Sequence, residues 1–269
     1  MKKAVCILLV LCIAAGGCAC GKSGGGGYGV GVVQMLEEQE YSIGFRTGDT
    51  VYFYVTGALK VLASNGRVSE LSHKWLGSDS VSFDKDPDAL RDLAQTEPRD
   101  LIIGVDINAF PMSYVSNNDY WGFDVELALA VCELLGWSLK IQPIEKENVY
   151  IELSSGNIDC AWGGIVLNSD EVSNGKYVQF GPYVHNDVVI AARKGSSVWG
   201  KAKLRGRSMA MCATDEAMDA LHKDESLLRK LGQITRLAGG TTECFQYLYA
   251  GKCDAILTDS TAVDYFNCH

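Results

Sequence analysis

The sequence predicts an α/β fold, and three observations carry that reading. Leu101-Ile-Ile-Gly-Val105 is a short apolar run of the kind buried in parallel sheets. Residues 125–135 follow it, and Val125, Leu127, Leu129, Val131, Leu134 and Leu135 there make more than a single apolar stripe, so a largely buried helix is expected, closed by Gly136 in a left-handed cap. Ser138-Leu-Lys-Ile-Gln142 then alternates as a second strand, and Ile158-Asp-Cys-Ala-Trp162 reads as a third after a short helix and the turn Ser154-Ser-Gly-Asn157. Such a unit aims its strand ends at one crevice, where open α/β sheets place ligands. A chain of 269 residues is long enough for two modest lobes with cores of their own.

The beginning of the chain is of another kind. Met1-Lys-Lys3 is a basic n-region, residues 4–15 form an apolar run of signal-peptide length, and Ala15-Gly-Gly-Cys18 resembles a lipoprotein cleavage box. Residues 1–17 are therefore read as a lipoprotein signal peptide, Cys18 as the lipidated residue and residues 18–27 as a Gly-rich tether. The alternative is an ordinary signal peptide cut near Ala19; a membrane-spanning anchor fits less well, because the apolar run stops short of ~20 residues. Cleavage removes Lys2 and Lys3 alone among charged residues, taking the formal charge from −9 to −11. An acidic exported protein offers no electrostatic footprint for nucleic acid. Seven of the ten cysteines remain beside Cys18, Cys6 and Cys12, with no Cys-x-x-Cys spacing, which argues against zinc and against a dense disulfide framework. Cys244 and Cys253 flank a helix-to-strand turn and are the pair best placed to meet.

In chain order, residues 28–33 and 41–45 read as two strands, 51–65 and 68–75 as helices stopped by Gly66 and Gly77, and 78–98 as a polar connector interrupted by Pro87 and Pro98. Beyond the central unit, Val188-Val-Ile-Ala-Ala192 reads as a strand crossing between lobes. Strands at 208–212, 234–237 and 255–258 alternate with helices at 215–222, 242–250 and 260–266.

These residues carry a family resemblance. Gly104-Val-Asp106, Phe110-Pro111, Gly122-Phe-Asp124, Leu153-x-Ser-Gly-x-Ile-Asp159, Phe180-Gly-Pro-Tyr183, Leu204-x-Gly206 and Leu248-x-x-Gly-x-x-Asp-Ala-Ile-Leu-x-Asp259 resemble, in order and spacing, the extracytoplasmic solute-binding proteins of polar amino-acid ABC importers. The resemblance implies a two-lobed, type II periplasmic-binding-protein clamshell. It also implies a small-molecule ligand, amino acid or amine, gripped between the lobes, with ABC permease subunits as partners, no cofactor, no metal and a monomeric state. The family's C-terminal segment, however, resembles residues 40–77 at the front of this chain, so the resemblance implies a circular permutant with residues 78–98 joining the old ends; the rival accounts are a fragment of a tandem protein and a chain that completes its lobe by swapping with a neighbour. Lobe 1 would then be residues 28–192 in one piece and lobe 2 residues 193–269, with a single covalent crossing.

The family's ligand groups carry over in part. Asp259 matches the carboxylate that takes the ligand ammonium, and is equally suited to cap the helix that follows it. Gly163 and Gly164 match strand-end positions that offer backbone carbonyls. Asp106, Phe110 and Tyr114 match the first ligand-lining loop, although both rings would serve a lobe core as well. The carboxylate-binding half departs from the pattern: Val166 holds the position of a threonine and Glu171 lies near that of the arginine. The Gly-Ser/Thr loop is replaced by Ala213-Thr214-Asp215-Glu216, and Lys146 takes the place of an aromatic ring. This lopsided site implies a ligand with an amine and without a free α-carboxylate. No Ser-His-Asp or Cys-His pattern indicates an enzyme, and of the four histidines His185 is best placed for the cleft. The reading is thus a lipid-anchored, extracytoplasmic binding protein of an ABC importer; the alternatives are a ligand-sensing receptor module of the same fold and a cleft enzyme. Mass spectrometry of the mature protein is expected to find a diacylglyceryl group on Cys18; an unmodified, soluble chain beginning after residue 18 contradicts the anchor.

Overall fold

The computed structural model describes residues 29–269 apart from residues 96, 199 and 200, so the expected signal peptide, Cys18 and the tether lie outside the described residues. The chain opens with β1 (Val30–Arg46), α1 (Val51–Ser64) and α2 (Arg67–Leu76), followed by β2 (Asp100–Val105). A hairpin of β3 (Tyr114–Ser116) and β4 (Asp119–Trp121) leads into α3 (Phe123–Leu135), β5 (Ser138–Pro143), α4 (Val149–Ser155) and β6 (Cys160–Ala161). Next come α5 (Ser169–Ser173), β7 (Tyr177–Arg193), β8 (Met209–Cys212), α6 (Asp215–His222) and α7 (Glu225–Leu228). The chain ends with β9 (Ile234–Leu237), α8 (Gly240–Tyr249), β10 (Ala255–Asp259) and α9 (Ser260–Cys268).

Eight strands form one sheet in the order β5-β2-β6-β1-β7-β10-β8-β9. β2 runs parallel to β5 and β6, and β8 runs parallel to β9 and β10. These two parallel halves are joined by an antiparallel ribbon of β1 and β7, paired from Val30↔Arg193 to Arg46↔Tyr177. This is a mixed α/β fold, two parallel half-sheets joined through one antiparallel ribbon.

The central unit forms as its sequence predicts. α3 is buried along most of its length, and Gly136 ends it at φ 71°, a conformation that a side chain disfavours. Two expectations change. The strands read at 28–33 and 41–45 are one strand of 17 residues, because the polar stretch between them pairs with Asn186 to Val188 instead of looping out. The expected single crossing is double: Val30 packs in one cluster with Phe245 and Val263, Val33 and Leu36 pack against another with Met209 and Leu257, and Tyr41, Ile43 and Phe45 pack on the far side with Leu101 and Trp162. β1 therefore runs between the halves, as β7 does.

The front segment builds the same core as the central unit. Val51, Val55, Leu59 and Leu62 of α1 belong to one buried cluster with Leu101, Ile103 and Phe123. The connector lies across this half, with Phe83 stacked on Phe180 and on Tyr183 at 5.8 and 5.3 Å between ring centres. Leu59 and Leu101 are both fully buried. Leu59→Ala and Leu101→Ala are each expected to cost about 2–5 kcal/mol and to lower one shared unfolding transition in urea. A separate early transition moved by Leu59→Ala alone would show that the front segment folds as a unit of its own.

Candidate functional site

The two halves of the sheet enclose a cavity of about 560 Å³, a size suited to a small molecule. Its walls come from the middle of the ribbon, from the loops that follow β2, β5 and β6, and from the ends of β8 and β10. These are the carboxyl ends of the parallel strands, where the topology leaves backbone groups and side chains unshared by the sheet.

Of the residues read from the sequence, Asp106, Lys146, Gly164, Glu171, Thr214 and Asp259 line this cavity together. Phe110, Tyr114 and Gly163 are not among its lining residues. Phe110 is buried against Tyr114, Tyr265 and Phe266, at 4.8, 4.8 and 5.5 Å between ring centres, and Tyr114 also packs on Trp75. These rings face the C-terminal helix rather than a ligand. The Gly163 carbonyl accepts from the Asp106 N–H at 3.1 Å and the Ser113 hydroxyl at 3.0 Å, so it is engaged inside the lobe. His185 is exposed, with Nε2 3.2 Å from the Asp187 carboxylate, and does not line the cavity.

Asp259 stands before α9 but its side chain makes no capping bond. Its Oδ1 instead accepts from Asn186 Nδ2 at 2.9 Å, and buried Asn186 in turn donates to Gln39 at 3.1 Å. Asp259 is thus braced by the ribbon and not by its own helix. Asp106 Oδ1 takes the Asn108 N–H at 2.8 Å, and Glu171 meets Lys176 at 2.9 Å. Thr258 Oγ1 is buried at the cavity wall without a hydrogen-bond partner among the described residues, which leaves its polar capacity for whatever fills the space.

Sequence reasoning missed four charged groups of this wall, Glu37, Glu147, Asp219 and Lys223. Glu37 of β1 and Lys223 at the end of α6 form a 2.6 Å ion pair that links the ribbon to the second half of the sheet. Asp219 adds another carboxylate. The lining then holds Glu37, Asp106, Glu147, Glu171, Asp219 and Asp259 against Lys146 and Lys223, a formal excess of four negative charges.

Behind the wall lies a second missed residue of consequence. Asp124, at the start of α3, is fully buried. Its Oδ1 accepts from the Trp162 indole at 3.1 Å and the Tyr183 hydroxyl at 2.7 Å, and its Oδ2 accepts the Gly164 N–H at 2.9 Å. It thereby fixes the cavity-lining Gly164, whose φ of 63° and close approach to Ala109 leave no room for a side chain. Burial raises the Asp124 carboxyl to about 7 despite these three donors.

Comparison with known proteins follows the same line. Residues 101–237 match the model of the bacterial extracellular solute-binding proteins, family 3. The arginine-binding extracellular protein ArtP of Bacillus subtilis (strain 168) is 23% identical over 175 residues, covering 64% of this chain and 66% of the relative, so the chain spans just under two thirds of that relative's length. Among solved structures, a polar amino acid ABC uptake transporter substrate-binding protein from Streptococcus thermophilus is 26% identical, over 60% of this chain and 61% of that one, with a TM-score of 0.43. An ABC uptake transporter substrate-binding protein from Streptococcus pneumoniae with bound histidine is 24% identical, over 62% and 68%, with a TM-score of 0.45.

The raised Asp124 carboxyl has a signed consequence. Between its ordinary 3.8 and about 7 the folded state keeps a proton that the unfolded state releases, so this group's contribution to stability is present below pH 4 and is lost as pH rises through 7, by up to roughly 4 kcal/mol. Melting temperature followed from pH 4 to pH 8 is expected to fall less steeply in Asp124→Asn than in the parent chain. An unchanged slope in the variant would show that Asp124 does not titrate in this range.

Proposed function

The chain belongs to the bacterial extracellular solute-binding proteins, family 3, and from that premise we propose that it delivers a small cation bearing an amine or guanidinium group to an ABC importer. It is a binding protein and not an enzyme, and it acts outside the cytoplasm. On this reading it is a monomer tethered through a lipid on Cys18, and its partners are the permease subunits of the importer.

The observation that carries the ligand class is the charge of the cavity. Six carboxylates face two lysines, and Lys223 is already held by Glu37 at 2.6 Å. Glu171 is likewise held by Lys176 at 2.9 Å, and a cleft that closes on its ligand strips water from the acids of the wall, a cost that a cationic ligand would offset. A free α-carboxylate would enter the same field with the wrong sign. Val166 lines the wall where the family resemblance places a threonine, Glu171 stands near the arginine position, and neither Arg193 nor Arg236 is among the lining residues. Asp259 and the unpartnered Thr258 hydroxyl are the groups that would receive the ligand ammonium. The arginine-binding description of ArtP is consistent with a cationic ligand.

Two further parts of the reading rest on the fold. The front segment, residues 30–77, completes the half-sheet built by residues 101–162, and the connector spans that half, which supports a permuted chain order. The lobes would follow residues 28–192 and 193–269, with the first residues of β1 reaching across.

Calorimetry with arginine and agmatine, which differ only in the carboxylate, tests the ligand class. Burying the α-carboxylate without a cationic partner costs arginine roughly 1.5–3 kcal/mol that agmatine avoids, so agmatine is expected to bind about ten- to a hundredfold more tightly. Submicromolar arginine binding that depends on its carboxylate would overturn this reading. Asp259→Ala is expected to abolish binding of the amine while destabilising the empty protein by no more than about 1 kcal/mol in urea unfolding.

A further inference from the structure

One thiol of the cavity wall, Cys212, has a second thiol buried behind it. Cys212 ends β8 and lines the cavity, half-buried, and Cys244 lies buried in α8, which packs on that strand. Their Sγ atoms are 3.9 Å apart, and the Thr241 hydroxyl in the first turn of α8 is 3.6 Å from Cys212 Sγ. The pairing expected from sequence, Cys244 with Cys253, is absent: both are free thiols.

We propose that Cys212 is a thiol-exchange site within the ligand cavity and that Cys244 is its resolving partner, so that small disulfides entering the cavity convert the pair to an intramolecular disulfide. The inference is independent of the ligand's identity, because it rests on the position of the two sulfurs and the charge around them.

Three features of the site support the chemistry. A disulfide bond is about 2.0 Å long, so closing the pair needs an approach of roughly 2 Å, within reach of a side-chain rotation at a strand end. The hydrogen bond from the Cys244 thiol, aided by Thr241, holds the Cys212 thiol below its ordinary range against burial and the repulsion of Asp259. The bond to Cys212 and burial push Cys244 in the opposite direction. Cys212 is therefore the nucleophile: it alone of the two reaches the cavity, and the thiolate, not the thiol, attacks.

The reaction balances without a further reagent. The Cys212 thiolate attacks one sulfur of a low-molecular-weight disulfide, forms a mixed disulfide and expels one thiolate, which takes up a proton. With Cys212 no longer anionic, Cys244 loses the bond that kept its proton in place. Its sulfur attacks Cys212 Sγ, its proton goes to solvent, and the second small thiolate leaves. Two protein thiols are oxidised, and one small disulfide is reduced to two thiols. Outside the cytoplasm such a bond persists.

The acidic wall makes the site selective. A cationic disulfide is concentrated by a cavity with an excess of four negative charges, and an anionic one is repelled. Cystamine and dithiodipropionate, similar in size and opposite in charge, are the probes. The full chain is treated with each, and its peptides are mapped by mass spectrometry. The expected product is a Cys212–Cys244 disulfide, formed at least about tenfold faster with cystamine at low salt. Cys244→Ala is expected to trap cystamine as a stable mixed disulfide on Cys212. Three outcomes would overturn the assignment: modification of exposed Cys268 with Cys212 untouched, a Cys244–Cys253 linkage in place of the expected one, or equal rates with the two probes. The mapping of the parent chain decides even if the variant fails to fold.

Discussion

The structure depends on one antiparallel ribbon. Each half of the sheet is parallel and would close on itself with its own helices, and only β1 and β7 carry hydrogen bonds from one half into the other within the sheet. The ends of the ribbon are anchored in different cores, Val30 among the residues around Phe245 and Phe45 among those around Leu101. Its middle is polar and faces the cavity through Glu37, Gln39 and Tyr41. Register shifts fall between Val32 and Gln34, Met35 and Glu37, and Tyr41 and Ile43. Irregularities of this kind add bend and twist to a strand. On the reading proposed above, closure of the cavity would bend this stretch, while the Glu37–Lys223 pair ties its first part to the half around Met209 and Leu257.

Two kinds of carboxylate then divide the work. Asp124 is buried for good, and three donors hold it in place so that Gly164 presents its backbone to the cavity. At a given pH its cost does not change with the occupancy of the cavity, because it lies behind the wall and not in it. The carboxylates of the wall, of which Glu37 and Glu171 are paired with Lys223 and Lys176, would lose hydration as the cavity closes on a ligand. The first group sets geometry, and the second sets a free-energy requirement that an incoming cation meets. A chain with this wall gains nothing from closing empty, which favours an open unliganded state.

Much of this was legible in the residues. The apolar run at Leu101, the buried helix ended by Gly136 and the helices of the front segment follow from periodicity and caps that are local in the chain. The continuous ribbon was not legible, because residues 37–40 (Glu-Glu-Gln-Glu) have no apolar alternation and their partners lie about 150 residues away in the sequence. Phe110 and Tyr114 show a second limit. An aromatic in a loop reads the same whether its ring covers a ligand or fills a core, and here α9 supplies Tyr265 and Phe266 to receive it. Asp124 was visible only as the acid in Gly122-Phe-Asp124. Nothing in its spacing says that Trp162 and Tyr183 converge on it, since that convergence is made by three separate elements.

The same limit hid the thiols. Cys212 and Cys244 are 32 residues apart and no short motif joins them; the packing of α8 on β8 brings them together. Their place in the wall couples two properties of the cavity. Asp259 opposes ionisation of Cys212, so a cation bound beside Asp259 relieves that opposition and favours the thiolate. Linkage is reciprocal: a thiolate at Cys212 favours the cation by the same free energy. Oxidation to a disulfide removes this anion and with it that share of the attraction. A binding protein built this way would hold its cation most tightly when its dithiol is reduced, because both the ligand and the thiolate answer to the one carboxylate at the end of β10.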